Sequence, residues 1–302
     1  MKTEMKIGGH TIAITNPDKI LFPQDKITKL EVIEYYKNIA SVMVPHMEDR
    51  AVTMLRFPNG INGESFYQKD IPDYFPSWIK RVEIKKSGGV LHHVVCQNAA
   101  TLVYLANQVC LTPHIWLSRI DKINIPDRLI FDLDPSDHDF KPVRSTAFII
   151  KELLEDLGLH PFVMTTGSRG LHVVIPLKRQ YDFDWVRAFA RDIAEYLVRQ
   201  DPKSLTIATL KKKRGKRLFI DTIRNSYAAT GVAPYAIRAH PGAPVATPVE
   251  WDEIKAQKFT SQRYTIKTVF KRLKAEGDAW KGIDKHTQSL TVARKKLDSL
   301  IK

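Results

Sequence analysis

Leu129-Ile130-Phe131-Asp132-Leu133-Asp134-Pro135 is the stretch from which the rest of the chain can be read. Its apolar run is interrupted at alternate positions, the period of a strand. Phe131 and Leu133 therefore enter the core on one face, and Asp132 and Asp134 emerge together on the other. Two carboxylates so placed repel each other unless something cationic sits between them, and a magnesium or manganese ion with oxygen ligands is the usual solution. On its own, the pair reads more readily as a strand that ends in a polar turn.

Outward from that strand, set at 128–133, the chain alternates. A helix over 143–157 is closed by Gly158 and followed by strands at 161–165 and 171–176. Asp184 is placed as the cap of a further helix bearing Trp185, Val186, Phe189, Ile193, Tyr196 and Leu197 on its apolar side. A strand at 217–221 follows. Strand, helix and hairpin in this order predict an α+β core with a central antiparallel or mixed sheet carrying the carboxylates and helices flanking it. Toward the N-terminus, Thr28 and Glu31 form a capping-box signature for a helix over about 29–43. A strand at 51–57 ends in Pro58-Asn59-Gly60, and 98–109 reads as a mostly apolar helix. Residues 233–249, rich in Pro and Gly, are expected to lie extended over the body, and amphipathic helices to close the chain. With no internal repeat or low-complexity linker, a single domain over 1–302 is expected: an N-terminal elaboration over about 1–120, a catalytic core over about 121–250 and C-terminal helices over about 251–302.

The strand ends gather further polar groups. Thr165-Thr166-Gly167-Ser168-Arg169-Gly170-Leu171-His172 joins two strands through a Gly-rich turn. Backbone N–H groups, the hydroxyls of Thr166 and Ser168, and Arg169 suit a triphosphate there, and the same residues also make an ordinary hairpin. By alternation His172 points away from Leu171 and Val173, toward the side of the carboxylates, or is a satisfied structural histidine. Asp221 ends Leu218-Phe219-Ile220-Asp221, with Arg224 close behind and Arg238 further on. The three can complete a metal site and neutralise incoming phosphates, or form a surface ion-pair set. His114, beside Pro113 and Trp116, is either a nucleotide contact or a core imidazole. Arg56, Phe66 and Tyr67 interleave basic and aromatic groups, which suits base stacking, though a buried aromatic cluster is the commoner origin of such a pattern. Lys19 and Lys29 flank Leu21-Phe22-Pro23 as a phosphate grip or as plain solvated lysines. The run 211–217 is expected to be a mobile, exposed loop whose charge serves nucleic-acid backbone binding.

Composition agrees with a polyanionic partner. Forty-seven Lys and Arg against 33 Asp and Glu give a formal net charge of +14. The two cysteines, Cys96 and Cys110, form no Cys-x-x-Cys pair, so neither a zinc set nor a disulfide framework is indicated, and both are expected to be buried. No long apolar run follows the N-terminus and no apolar stretch of about 18 residues occurs, so the chain reads as soluble, cytoplasmic and without a membrane partner.

Assembled, these residues resemble the polymerase domain of bacterial ligase D, of the archaeo-eukaryotic primase superfamily, over almost the whole chain. The marks are Thr15-Asn16-Pro17-Asp18-Lys19, Arg56-Phe57-Pro58-Asn59-Gly60, Asp132-Leu133-Asp134-Pro135, Gly167-Ser168-Arg169-Gly170-Leu171-His172 and Phe219-Ile220-Asp221. The resemblance implies a primase-polymerase fold and template-directed nucleotide addition at DNA gaps and breaks in non-homologous end joining, with ribonucleotides preferred over deoxyribonucleotides. It implies that Asp132, Asp134 and Asp221 hold two divalent ions, Mn2+ or Mg2+, and that His114, Thr166, Ser168, Arg169, His172, Arg224 and Arg238 surround the nucleoside triphosphate. Lys19 and Lys29 would bind the 5′-phosphate of a gapped or broken end, with Arg56, Phe66 and Tyr67 on the DNA and Phe66 stacked on the template. Ku and a separate ATP-dependent DNA ligase are the partners it implies, at the nucleoid. Two departures stand out: Leu55 lies where some members carry Lys, and no phosphoesterase or ligase domain accompanies this chain, so a stand-alone form is expected.

Overall fold

The computed structural model describes residues 3–137 and 139–302. They group into two units, each formed from three separate stretches of chain. The first comprises Met1–Asp121, Thr230–Ala246 and Tyr264–Lys271; the second comprises Lys122–Ala229, Thr247–Arg263 and Arg272–Lys302.

The second unit is built on a six-stranded sheet. Its spatial order is Leu205–Thr206, Leu218–Asp221, Arg128–Asp134, Leu171–Pro176, Phe162–Thr165 and Pro248–Val249. All neighbours are antiparallel except the first two, which run parallel, so the sheet is mixed. Central position explains the sequence: Arg128–Asp134 has partners on both edges and is buried almost throughout, with Phe131 and Leu133 at 0% exposure. Helices Lys141–Asp156 and Phe183–Gln200 pack on these strands. The second helix starts two residues earlier than expected. Asp182, not Asp184, is its cap, accepting from the Trp185 N–H at 2.9 Å, which leaves Asp184 in the first turn, where its charge still suits the helix dipole. Gly158 closes the first helix at φ +84°, as its position predicts.

In the first unit the sheet order is Thr230–Val232, Cys110–Trp116, Ala51–Arg56, Gly89–Val95 and Arg81–Lys86, with Phe66–Gln68 paired to the end of Ala51–Arg56. The capping box forms as expected: Thr28 accepts from the Glu31 N–H, and the Glu31 carboxylate accepts from the Thr28 N–H. The helix runs Lys29–Met47, beyond the expected end near 43, carrying Pro45 in its last turn. Residues 98–109 resolve into helix Ala99–Asn107, and the strand after it, Cys110–Trp116, is buried at every position, so no alternation marks it in the sequence. The 233–249 stretch corrects the expectation of a surface strap. Ala233, Tyr235, Ala236, Ile237, Ala243, Val245 and Ala246 are fully buried, because small residues and two tight turns let this segment fill core space rather than cover it. Cys96 and Cys110 are buried and unbridged, and burial pushes each thiol up to about 12. Helices Val269–Glu276 and Thr291–Ile301 come last, as expected. Among the described residues no helix is long and apolar enough to cross a membrane.

Candidate active site

Strand pairing brings the three carboxylates together. Asp132 lies directly opposite Asp221 on one neighbouring strand and opposite His172 on the other, and Asp134 follows two residues along on the same face. The reading of His172 as facing the carboxylates is therefore met: its Nε2 is 3.5 Å from Asp132 Oδ1. Arg224, from the 3-10 turn Ile223–Asn225, donates through Nε to Asp132 Oδ2 at 3.1 Å and lies 3.9 Å from Asp221. The other Asp221 oxygen accepts from the Ile223 N–H at 2.7 Å, which starts that turn.

Charge in this cluster is unevenly balanced. Burial works to raise the Asp132 carboxyl, but the charges and hydrogen bonds of His172 and then Arg224 outweigh it and hold the group below the usual carboxylate range. Asp134 and Asp221 go the other way, pushed up by burial and then by the charge of Asp132. Arg224 is held in its charged form: burial acts against it, and Asp132 and then Asp221 outweigh that. Two like charges about 5 Å apart cost about 3 kcal/mol at an effective dielectric of about 20. Asp134 and Asp221 are both left pushed up despite the cations nearby, and such oxygen donors with surplus negative charge are of the chemical kind that a hard divalent cation takes. Among the described residues no group of three or more acidic, His or Cys side chains is placed to hold a metal ion as they stand; Asp132 is turned toward His172 and Arg224.

The Gly-rich turn is fixed beside this face. A Cβ at Gly170 would come 2.0 Å from the carbonyl oxygen of Leu133, so only glycine lets the turn cross the carboxylate strand. Thr166 spends its hydroxyl within the turn, accepting from the N–H of Gly170 at 3.2 Å and of Ser168 at 3.3 Å. Ser168 is half-buried and Arg169 exposed; the charge of Arg169 acts to lower Asp134.

Three supporting residues were missed in the sequence. Buried Asn225 donates to the Ile130 carbonyl and accepts from the Ile130 N–H, both at 2.8 Å, and so locks the Arg224 turn to the Asp132 strand. Ser261 donates to the Gly170 carbonyl at 2.8 Å and Gln262 to that of Ser168 at 3.0 Å. Nothing local marks either contact, since Ser261 lies 91 positions from Gly170. In the basic run, Arg214 stacks 3.6 Å above the Phe219 ring and donates to the Ala208 and Thr209 carbonyls, and Arg217 donates to those of Lys213 and Arg214. The arginines are thus committed to holding a 3-10 turn, leaving Lys211, Lys212 and Lys213 exposed and Lys216 among them.

The remaining predicted residues belong to the first unit. His114 is buried opposite Thr53, with the Tyr67 ring edge-on at 5.6 Å. Arg238 donates its N–H to the Pro244 carbonyl at 2.7 Å in a turn of the 230–246 stretch. Lys19 donates to Asn59 Oδ1 at 3.2 Å. Lys29 is buried, and its ammonium donates to the backbone oxygen of Thr15 at 2.5 Å and to its hydroxyl at 2.8 Å; burial, then Lys19, then Arg56 bring its pKa down to about 8. Phe66 and Tyr67 are both exposed, but strand geometry separates them: Phe66 lies opposite Arg56, Tyr67 on the other face with His114.

A family model described as the LigD primase-polymerase domain matches residues 28–280. The multifunctional non-homologous end joining protein LigD of Mycolicibacterium smegmatis is 34% identical over 276 residues, 90% of this chain and 36% of that protein. The bifunctional non-homologous end joining protein LigD of Bacillus subtilis is 33% identical over 268 residues, 88% of this chain and 43% of that protein. Among solved structures, the polymerase domain of Mycobacterium tuberculosis ligase D in complex with DNA matches with a TM-score of 0.85 at 28% identity, covering 92% of this chain and 99% of that one. The chain therefore spans about two fifths of the length of these two full-length relatives.

Proposed function

The chain belongs to the LigD primase-polymerase domain family, and we propose that it is a template-dependent nucleotidyltransferase that adds nucleotides, ribonucleotides in preference, to 3′ ends at DNA gaps and double-strand breaks during end joining. The observation that carries this reading is the convergence of Asp132, Asp134 and Asp221 on one sheet face, flanked by Arg224 and by a Gly-rich turn.

Asp132, Asp134 and Asp221 are the residues to hold manganese or magnesium ions, two in this reading. Once bound, these supply the positive charge that lowers the pKa of the primer 3′-hydroxyl and offsets charge growing on the α-phosphate. The protein's own groups do the positioning. Arg224 and Arg169 meet phosphate oxygens with planar donors, and the Ser168 hydroxyl with the turn's N–H groups adds more. His172 keeps Asp132 aimed along the sheet face. Thr166 contributes by holding the turn, and His114 and Arg238 are further nucleotide contacts in this reading. Lys19 and Lys29, with Asn59 beside them, take the 5′-phosphate of the downstream end, and Arg56, Phe66 and Tyr67 serve the DNA. Ku and a separate ATP-dependent ligase are the partners we propose, and the nucleoid the place of action.

Primer extension tests the proposal. A 5′-phosphorylated gapped duplex is incubated with manganese and each nucleotide in turn. Wild type should lengthen the primer, with ribonucleotides used best, and Asp132→Ala should lose at least about 100-fold in rate. Shortened primer would identify a nuclease, and binding without any change in length would identify a scaffold. Equal extension by the variant would remove the metal assignment.

A further inference from the structure

Thr53 carries a hydroxyl that the first unit buries and does not use. The residue is 2% exposed, and its Oγ1 has no hydrogen-bond partner among the described residues. Thr112, on the neighbouring strand, shows the usual outcome: its hydroxyl donates to the Ile237 carbonyl at 2.6 Å. A buried hydroxyl left unpaired costs free energy that a methyl group of the same size would not. β-Branching explains why a strand accepts threonine here, but Val52 beside it is β-branched too, and valine would serve the strand equally without the penalty. The oxygen is accounted for by a partner that arrives only in another state of the protein.

Strand pairing says which partner that is. Thr53 lies directly opposite His114 in the antiparallel pair of Ala51–Arg56 with Cys110–Trp116, so both side chains leave the same face of the sheet as immediate neighbours. His114 is 7% exposed and meets the exposed Tyr67 ring edge-on at 5.6 Å. A neutral imidazole has one donor nitrogen and one acceptor, and the partner of one nitrogen decides what the other can offer a ligand. A hydroxyl both donates and accepts, so Thr53 can pair with either tautomer. The other buried imidazole of this sheet, that of His93, is already engaged, with Nδ1 3.2 Å from the Val52 carbonyl oxygen.

We propose that Thr53 is the positioning residue of His114: when a nucleoside triphosphate engages one imidazole nitrogen, the ring turns and its other nitrogen takes up the Thr53 hydroxyl. That hydrogen bond holds the ring orientation and tautomer in which His114 meets the nucleotide. Pairing on binding also removes the cost of the buried oxygen, so part of the affinity comes from a residue that does not touch the ligand. The inference rests on the reading of His114 as a nucleotide contact, but its test does not depend on catalysis. Equilibrium binding of a fluorescently labelled ribonucleoside triphosphate is measured with manganese present. Thr53→Val should weaken binding by roughly 5-fold, the worth of about one net hydrogen bond, while the thermal midpoint holds or rises because an unpaired polar atom is gone. Thr53→Ser, which keeps the hydroxyl, should bind close to wild type. In a His114→Ala background Thr53→Val should cause no further loss, since the two residues act as one unit. Undiminished binding by Thr53→Val, a Thr53→Ser variant as weak as Thr53→Val, or the same fold-loss in both backgrounds would each overturn the proposal. A Thr53→Val variant that unfolds at lower temperature than wild type would overturn it too, by showing that the hydroxyl serves the fold. A protein that shows this coupling and extends no primer would remove the polymerase reading alone, and one that extends primers with triphosphate binding untouched by Thr53→Val would remove this one alone. A wild type that binds no triphosphate would overturn both.

Discussion

At Gly170 one missing methyl group decides whether two parts of the candidate site can lie together. Its Cβ position is 2.0 Å from the Leu133 oxygen, far inside any van der Waals contact. Gly170→Ala should push the turn off the carboxylate strand. We expect a loss of about 1–3 kcal/mol in denaturant unfolding, with nucleotide KM raised as well, since the turn carries Ser168 and Arg169. Asn225 makes a different case, because its removal orphans a buried donor and acceptor on Ile130. Asn225→Ala should cost about 2 kcal/mol or more. It should also slow primer extension well beyond a surface variant of equal instability, because Arg224 loses its registration against Asp132. Equal activity in two equally destabilised variants would reduce Asn225 to a packing residue. That Asp132 and Asp134 share a face, with His172 turned toward it, could be read from strand alternation. Asn225, Ser261 and Gln262 could not, because their partners are set by pairings that join distant parts of the chain.

Secondary-structure elements were legible where one face is buried and one is wet. Helix Lys29–Met47 announces its start through Thr28 and Glu31, and removing that cap by Thr28→Ala should cost about 1 kcal/mol, seen as a lower urea midpoint at unchanged slope. Strand Cys110–Trp116 was illegible for the opposite reason: both faces are covered, so its pattern merges with the apolar helix before it. The same helix start sets up a pH response. Lys29 is its first residue, and in the folded protein its pKa is lowered from 10.5 to about 8 by burial and by Lys19 and Arg56. Between those two values the unfolded chain holds the proton more tightly, so the Lys29 contribution to stability should improve as pH rises from 8 toward 10.5. Phosphate recognition should move the other way. As Lys29 loses its charge above pH about 8, the preference for a 5′-phosphate over a 5′-hydroxyl end should fall. Competition binding from pH 7 to 9 reads this, and Lys29→Gln should flatten the profile. A wild-type preference that does not change with pH would take Lys29 out of the phosphate site.

At the scale of the whole molecule the dominant quantity is charge, which composition states outright and the fold then sorts. Arg56, Arg214 and Arg217 are held by backbone carbonyls and rings, so part of the formal +14 is spent on architecture. Lys211, Lys212 and Lys213 are left exposed on the same turn that Arg214 and Arg217 build. This division follows from the side chains. A guanidinium spreads its donors over several fixed acceptors, whereas an ammonium on a flexible stem keeps its charge available to a mobile polyanion. Each phosphate neutralised by such a lysine releases counterions and steepens the fall of log Kobs with log salt by about 0.9 on duplex DNA. Replacing Lys211, Lys212 and Lys213 together by Gln should therefore weaken duplex binding most at low salt and lower the slope by up to about 2.7, with the thermal midpoint little changed. An unaltered salt slope in the triple variant would show that these lysines face solvent rather than DNA.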